Sequence, residues 1–249
     1  NSGRMNLSPS ISPNGKHIAF FSEKDVFTLD LFLADAVTGK IIKKLSSVTR
    51  NHEIDNFSFN ESAGTWSPDG EQFAFVVFKK GKHNLVIVDV DKGRIIEEIE
   101  IPGIPAFYNP QWSPDGRHIA LSGMVQGIVD LYLYDLRNKR TLRLTDDYFS
   151  NIHPSWSPDG KSIVYSTEKI NKEENIKKFS VDLNIIDVKT KNIRKLYVFP
   201  GADNLNPNYS SDGKYIYFLS NSDGFRNLYS YELETENVYR LTDYKTGIS

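Results

Sequence analysis

The chain has 249 residues, of which 39% are hydrophobic and 25% charged, a composition that builds a folded core and excludes a disordered segment. Its apolar runs, such as Leu85-Val86-Ile87-Val88, are far shorter than the roughly 20 residues of a membrane-spanning helix. With 30 basic against 32 acidic residues there is no positive excess for binding nucleic-acid phosphates, and the lack of cysteine excludes disulfide frameworks, cysteine nucleophiles and thiolate zinc sites.

The chain opens on Asn1, with no charged-then-apolar leader after it. The first landmark is Ile11-Ser12-Pro13-Asn14-Gly15. It returns as Trp66-Ser67-Pro68-Asp69-Gly70, Trp112-Ser113-Pro114-Asp115-Gly116, Trp156-Ser157-Pro158-Asp159-Gly160 and Tyr209-Ser210-Ser211-Asp212-Gly213, with the glycines 55, 46, 44 and 53 residues apart. Proline presets the second position of a turn, Asp or Asn suits the third, and Gly supplies the left-handed residue that closes a hairpin. An alternating strand follows each turn: His17-Ile18-Ala19-Phe20, Gln72-Phe73-Ala74-Phe75, His118-Ile119-Ala120-Leu121, Ser162-Ile163-Val164-Tyr165 and Tyr215-Ile216-Tyr217-Phe218.

A third strand opens at Asp30, Asn84, Asp130, Asp182 and Asn227, each followed by Leu and, five residues on, by the acids Asp35, Asp89, Asp135, Asp187 and Glu232. A fourth strand ends at Leu45, Ile99, Leu144, Leu196 and Leu241. Four strands per unit of 45 to 55 residues, without helical periodicity, predict the blades of a propeller. The fold class is therefore all-β: a β-propeller of four-stranded antiparallel blades, five in this chain, either closed as five or belonging to a ring of six or more. The repeats fall at approximately 5–45, 60–102, 106–146, 150–199 and 203–243, in a single domain, 1–249. The tail Thr246-Gly247-Ile248-Ser249 reads as the lead-in to another blade.

The Trp-Ser-Pro-Asp-Gly turn, the Ile-Ala-Phe-type strand, the Asp-Leu strand and the endings Leu144-Thr145-Asp146 and Leu241-Thr242-Asp243 resemble the TolB-type propeller repeat over essentially the whole chain. That repeat occurs in colicin-import accessory proteins, in propellers of prolyl-oligopeptidase-type peptidases and in large bacterial envelope proteins. The resemblance implies a periplasmic or otherwise extracytoplasmic, non-catalytic scaffold that is monomeric, binds a protein or peptide, and requires neither cofactor nor metal, nucleic acid nor membrane insertion. The alternative it leaves open is the gating or regulatory propeller of a larger hydrolase whose catalytic domain lies elsewhere. A sugar lyase on a similar propeller would need a cluster of His and acids that this sequence does not assemble.

No Gly-x-Ser-x-Gly elbow, His-Glu-x-x-His helix or phosphate-binding glycine loop is present, so no catalytic residue is assigned. The turn aspartates Asp69, Asp115, Asp159 and Asp212 read as local hydrogen-bond acceptors, as do Asp30, Asn84, Asp130, Asp182 and Asn227, held to backbone N–H groups. His17, His83 and His118 read as solvated.

His153 stands three residues before Trp156, on the lead into an innermost strand. Its equivalents are Ser8, Ala63, Asn109 and Asn206, and one residue before the aromatic come Ser10, Thr65, Gln111, Ser155 and Asn208. In a propeller such positions border the central channel, so Ser8, Asn109, Gln111, His153, Asn206 and Asn208 form a candidate binding rim; the competing reading is a wet channel lined with small polar groups. Two long loops are expected. Ser46 to Gly64 offers Phe57 and Phe59 as partner anchors or as a covered edge of the core, and the Lys- and Glu-rich segment from Glu168 to Phe179 reads as a solvated excursion.

Overall fold

Each blade grows from a turn that its own side chains close. In the second, the Gly70 amide donates to the Ser67 carbonyl (2.9 Å), and Asp69 Oδ1 accepts from the Ser67 hydroxyl (2.5 Å) and the Glu71 amide (3.0 Å). The Gln72 amide then donates back to Ser67 Oγ at 2.9 Å, which starts the next strand. The same bonds recur around Ser12, Ser113, Ser157 and Ser210. The closing glycines have φ between 69° and 74°, a region costly for any residue with a Cβ.

The computed structural model describes residues 6–23, 30–47, 56–57, 64–173 and 176–247, and among these there are strands and turns but no helix. The first blade is β1 (Asn6–Ile11), β2 (His17–Ser22), β3 (Asp30–Asp35) and β4 (Ile41–Ser47), hydrogen-bonded in chain order. The second is β5 (Asn56–Phe57) with β6 (Thr65–Trp66), then β7 (Gln72–Lys79), β8 (Lys82–Asp89) and β9 (Arg94–Ile99). β10 (Ala106–Trp112), β11 (His118–Val125), β12 (Ile128–Asp135) and β13 (Arg140–Arg143) make the third. β14 (Asn151–Trp156), β15 (Ser162–Glu173), β16 (Ile176–Asp187) and β17 (Ile193–Leu196) make the fourth, and β18 (Asn204–Tyr209), β19 (Tyr215–Ser220), β20 (Asn227–Glu232) and β21 (Val238–Arg240) the fifth. These are the five four-stranded antiparallel blades of a β-propeller that the repeat predicts.

The acid that ends each third strand caps the following turn. Asp135 Oδ1 accepts from the Arg137 and Asn138 amides, and Asp187 Oδ1 from those of Lys189 and Thr190. The Asn138 backbone bond is the largest cause that holds the Asp135 carboxyl down at about 2.

The chain divides into two compact units, with the third blade's residues shared between them: 1–119, 123–125 and 134–141 in the first, 120–122, 126–133 and 142–249 in the second. In the first unit, Ala19, Phe21, Leu31, Leu33 and Leu45 of blade one pack against Trp66, Phe73, Phe75, Val77, Val86 and Val88 of blade two. Trp66 meets Phe73 edge-on at 5.2 Å, and its Nε1 donates to the Ser10 carbonyl of the neighbouring blade (3.1 Å). In the second unit, Trp156 packs with Leu131, Leu133 and Leu144 of blade three and with Tyr165 and Ile186 of its own, and Tyr209 packs into the cluster formed by blades four and five. Trp66, Trp156 and Tyr209 are thus wedges between sheets.

Both long loops differ from expectation. Asn56 pairs with Phe78 and Phe57 with Val77, so Phe57 belongs to the innermost strand of blade two and not to a free loop; Phe59 and Ala63 lie outside the described residues. The described residues of the segment from Glu168 to Phe179 are no coil. They prolong β15 and β16 into a hairpin whose pairing runs unbroken from Ser162↔Asp187 to Glu173↔Ile176. Ile170 and Phe179 occupy opposite positions in it, a pairing that composition alone did not reveal.

Two predictions follow from these contacts. Trp66→Ala removes a side chain that is 6% exposed together with its inter-blade bond, and is expected to cost about 3–5 kcal/mol in urea unfolding; an unchanged midpoint would place the ring outside the core. Because the Asp135 carboxyl titrates lower in the folded chain than in the unfolded one, its contribution is complete above pH ~4 and disappears as the pH falls toward 2. Urea midpoints measured across that window should fall less steeply for Asp135→Asn than for the parent.

Candidate functional site

The rim candidates are united by backbone geometry. Ser8, Asn109, His153 and Asn206 have φ of 50°, 49°, 54° and 51°, the left-handed region that non-glycine residues rarely occupy. Each precedes a proline: Pro9, Pro110, Pro154 and Pro207. The pairing explains why. Leu7 pairs with Phe21 but Ser10 with Ala19, so the inner strand carries one residue more than its partner. The same bulge separates Ile152 from Ser155 and Leu205 from Asn208. Proline, lacking an N–H, fits a bulge where no ladder bond is made. The preceding residue must turn left-handed, which Asn and His tolerate best. Part of the polar pattern at this position therefore has a backbone cause.

The side chains differ in exposure. Within the first unit Ser8 and Gln111 are half-buried and Asn109 is buried. Within the second, His153 is half-buried, Asn206 and Asn208 are exposed, and Asn208 Nδ2 donates to the Asn206 carbonyl (3.1 Å). Blade two departs from the others. Gly64 stands where they have proline, with φ of 130°, and a Cβ there would lie 2.3 Å from the Ala74 carbonyl oxygen.

The polar residues just before the inner aromatics act between blades. Thr65 Oγ1 accepts from the Trp112 amide (3.0 Å), and Ser155 Oγ from the Tyr209 amide (3.4 Å). Both hydroxyls are buried parts of a blade boundary, not channel lining.

The acceptors that open the third strands also need a different description. In blades one, three and four the carboxylate is held by a base from the fourth strand: Lys44 to Asp30 (2.5 Å), Arg143 to Asp130 (2.5 Å) and Lys195 to Asp182 (2.8 Å). Thr145 Oγ1 donates to Asp130 Oδ1 (2.8 Å) and accepts from the Leu131 amide (2.9 Å). In blade five Thr242 does the same between Asn227 and the Leu228 amide, and the Tyr244 amide adds the backbone bond that the sequence suggests. The repeated Leu-Thr-Asp ending was the signal for this network. Where blade two has Asn84, the base is replaced by Glu98, which pairs with Lys79 instead.

His83 is not solvated. Its ring lies edge-on to Phe78, Phe107 and Tyr108, with Nδ1 2.8 Å from the Phe107 carbonyl oxygen, and so joins blade two to blade three. The turn aspartates act as read: in Asp69, Asp159 and Asp212 the serine hydroxyl bond is the largest cause that lowers the carboxyl below its ordinary range.

Comparison with known proteins places this geometry. The TolB beta propeller domain model matches residues 61–173, and the model of the dipeptidyl peptidase IV N-terminal region matches 121–247. Residues 61–173 thus carry the TolB-type propeller repeat, and residues 121–247, just over half of the chain, belong to the family of the dipeptidyl peptidase IV N-terminal region. An uncharacterized protein of Agrobacterium fabrum is 24% identical to this TolB-like propeller over 240 residues, 82% of this chain and 81% of its own. Dipeptidyl-peptidase 5 of Porphyromonas gingivalis is 34% identical over 91 residues, 35% of this chain and 12% of the peptidase. The Tol-Pal system protein TolB of Ruthia magnifica is 32% identical over 83 residues, 33% of this chain and 19% of that protein. Among solved structures, TolB from Acinetobacter baumannii superposes with a TM-score of 0.72 at 20% identity over 96% of this chain and 54% of its own. A putative TolB from Agrobacterium tumefaciens gives 0.73 at 20% identity over 96% and 81%. At that identity the structures bear on the fold alone.

The backbone cause of the bulge yields a test. His153→Asn should leave stability unchanged, whereas His153→Val, which resists a φ of 54°, should cost about 1–2 kcal/mol in a urea titration. Equal midpoints for the two variants would contradict a left-handed residue here.

Proposed function

We propose that this TolB-like propeller is a non-catalytic, protein-binding scaffold of the bacterial cell envelope, working outside the cytoplasm, and that its bulged inner strands meet the partner. The observation that carries this reading is the left-handed residue repeated at Ser8, Asn109, His153 and Asn206. Each such residue costs about 1–2 kcal/mol, and strain kept at one repeat position marks a place where side-chain direction matters more than stability. Ser8, Asn109 and Gln111 serve the first unit in this scheme, and His153, Asn206 and Asn208 the second. Proline after each bulge stiffens the backbone, which lowers the ordering cost of binding an extended segment. Kinship with TolB supports the envelope setting, and the lack of a nucleophile elbow or metalloprotease motif in the sequence supports a scaffold without chemistry of its own.

A second reading draws on one specific finding: the match of residues 121–247 to the dipeptidyl peptidase IV N-terminal region, joined by the stretch of likeness to dipeptidyl-peptidase 5. On that reading the chain is the regulatory propeller of a larger peptidase.

Both are tested with the full chain. An Asn109→Gly, His153→Gly, Asn206→Gly triple variant, which keeps the left-handed backbone and is checked to be folded, is expected to lose the envelope proteins that the parent captures. The same captured set at equal yield would sink the bulge as a partner surface. Capture of an adjoining hydrolase domain, with substrate cleavage that changes when the propeller is added, would favour the second reading.

A further inference from the structure

The boundary between blades four and five buries three polar atoms that find no protein partner among the described residues: Asn204 Oδ1, Ser166 Oγ and Ser220 Oγ. All three residues are fully covered, at 0% exposure. Pairing and packing bring them to one place. Asn204 stands directly opposite Ser220 in β18 and β19, so both side chains leave the same face of blade five. That face also carries Ile216 and Phe218, which pack with Val164 and Leu183 of blade four. Ser166 lies two residues past Val164 and directly opposite Leu183, so it enters the same boundary from the other side. Asn204 reaches across it: its Nδ2 donates to the carbonyl of Val181 (3.0 Å), two residues from Leu183.

The orientation of the Asn204 amide is fixed. Its Nδ2 also faces the carbonyls of Phe199 (3.3 Å) and Ala202 (3.5 Å), and a flipped amide would set Oδ1 against three carbonyl oxygens. Oδ1 is an acceptor only, and a buried acceptor needs a donor.

The arrangement occurs twice. At the boundary of blades three and four, Asn151 and Ser122 are fully buried, and again the Asn Oδ1 and the Ser Oγ have no protein partner among the described residues. Asn151 Nδ2 is engaged by Thr145 Oγ1, Asp147 Oδ1 and the Phe149 carbonyl. Ser122 and Ser166 each stand six residues past their turn glycine, and Asn151 and Asn204 each stand two before the left-handed residue of the next inner strand. Where blade two meets blade three, the same two positions hold Val76 and Phe107, both buried. Serine goes with asparagine and valine with phenylalanine, which ties the two positions to one shared space. Serine and asparagine are the smaller pair, so the common blade frame leaves room between them for a water molecule, whose share of the liquid is about 30 Å³.

The chemistry selects the ligand. None of the three groups is charged, so a cation here would lack compensation. Water gives one hydrogen to Asn204 Oδ1 and accepts those of the two serine hydroxyls.

We infer that a bound water molecule bridges Asn204 Oδ1, Ser166 Oγ and Ser220 Oγ inside the boundary of blades four and five, and that a second bridges Asn151 Oδ1 and Ser122 Oγ inside that of blades three and four. Each site lies at the start of the inner strand that carries Asn206 or His153, and it stands whether or not those residues meet a partner.

The test is a crystal structure of the full chain at a resolution that shows ordered solvent, with a parallel crystal soaked in rubidium chloride. One water is expected at each boundary, about 2.7–3.2 Å from the named atoms and without anomalous signal from rubidium. Urea unfolding supplies a second readout. Ser166→Val, which leaves Asn204 Oδ1 unmet, and Asn204→Leu should each lower the midpoint. The double variant should lower it by clearly less than the sum of the two shifts, because an apolar pair needs no water. Should Asn204→Leu fail to fold, having lost its bonds to three carbonyls, the parent crystal decides alone. Sites without solvent density, side chains bonded directly to each other, a rubidium peak at either position, or additive shifts would overturn the proposal.

Discussion

No blade of this chain can hide both of its own faces. In β7, the consecutive residues Phe73, Ala74, Phe75, Val76 and Val77 are all 0–3% exposed, although they alternate between the two sides of the sheet. A single four-stranded sheet with two apolar faces is stable only between neighbours, and that requirement organises the rest. It explains the large ring at the end of inner strands: Trp66 reaches across to Ser10 of the preceding blade, and Trp156 packs on the leucines of blade three. It also fits the exposure of a fourth strand such as Arg94–Ile99, which has no further strand beyond it and shows a mostly exposed pattern.

Close stacking of sheets leaves backbone and side-chain polar groups away from water, and each must then find a partner. The boundary residues do this in a repeated way. Thr65 and Ser155 receive the next blade's amides, while Thr145 and Thr242 tie the fourth strand to the first residues of the third. The buried aspartates add a charge and recruit Lys44, Arg143 or Lys195, whereas Asn227 serves the same geometry without one. A buried ion pair is weak evidence of stability gained, so the interchange of Asp and Asn at this position is consistent with a framework role. Much of what looks like polar functional decoration in the sequence is thus the bonding that stacked sheets demand.

Two features exceed that demand: the left-handed bulges and the long hairpin of blade four. A bulge costs stability, and the prolonged strands pair with each other beyond the blade, so neither helps a sheet to stack. The proteins with stretches similar to this chain include both a Tol-Pal system protein and a dipeptidyl-peptidase. Features beyond the blade framework are where such proteins diverge, since the fold itself specifies no function.

The sequence by itself determined the strand count, the turns and the blade order, because those depend on local chemistry: Pro and Gly set backbone angles, Ser and Asp close the turn, and alternation assigns faces. It also placed His153, Asn109, Asn206 and Ser8 at one equivalent position. Only the tertiary structure decided that these residues are left-handed, that Phe57 belongs to an inner strand, that His83 is clasped by three rings and that the Lys- and Glu-rich segment is a hairpin. Each of these rests on pairing between residues distant in the chain. A bulge exists only relative to the partner strand, Phe57 finds Val77 only when the sheet forms, and the prolongation of β15 and β16 exists only in their pairing with each other. Local propensity fixes what a residue prefers, and register against a neighbour fixes what it does.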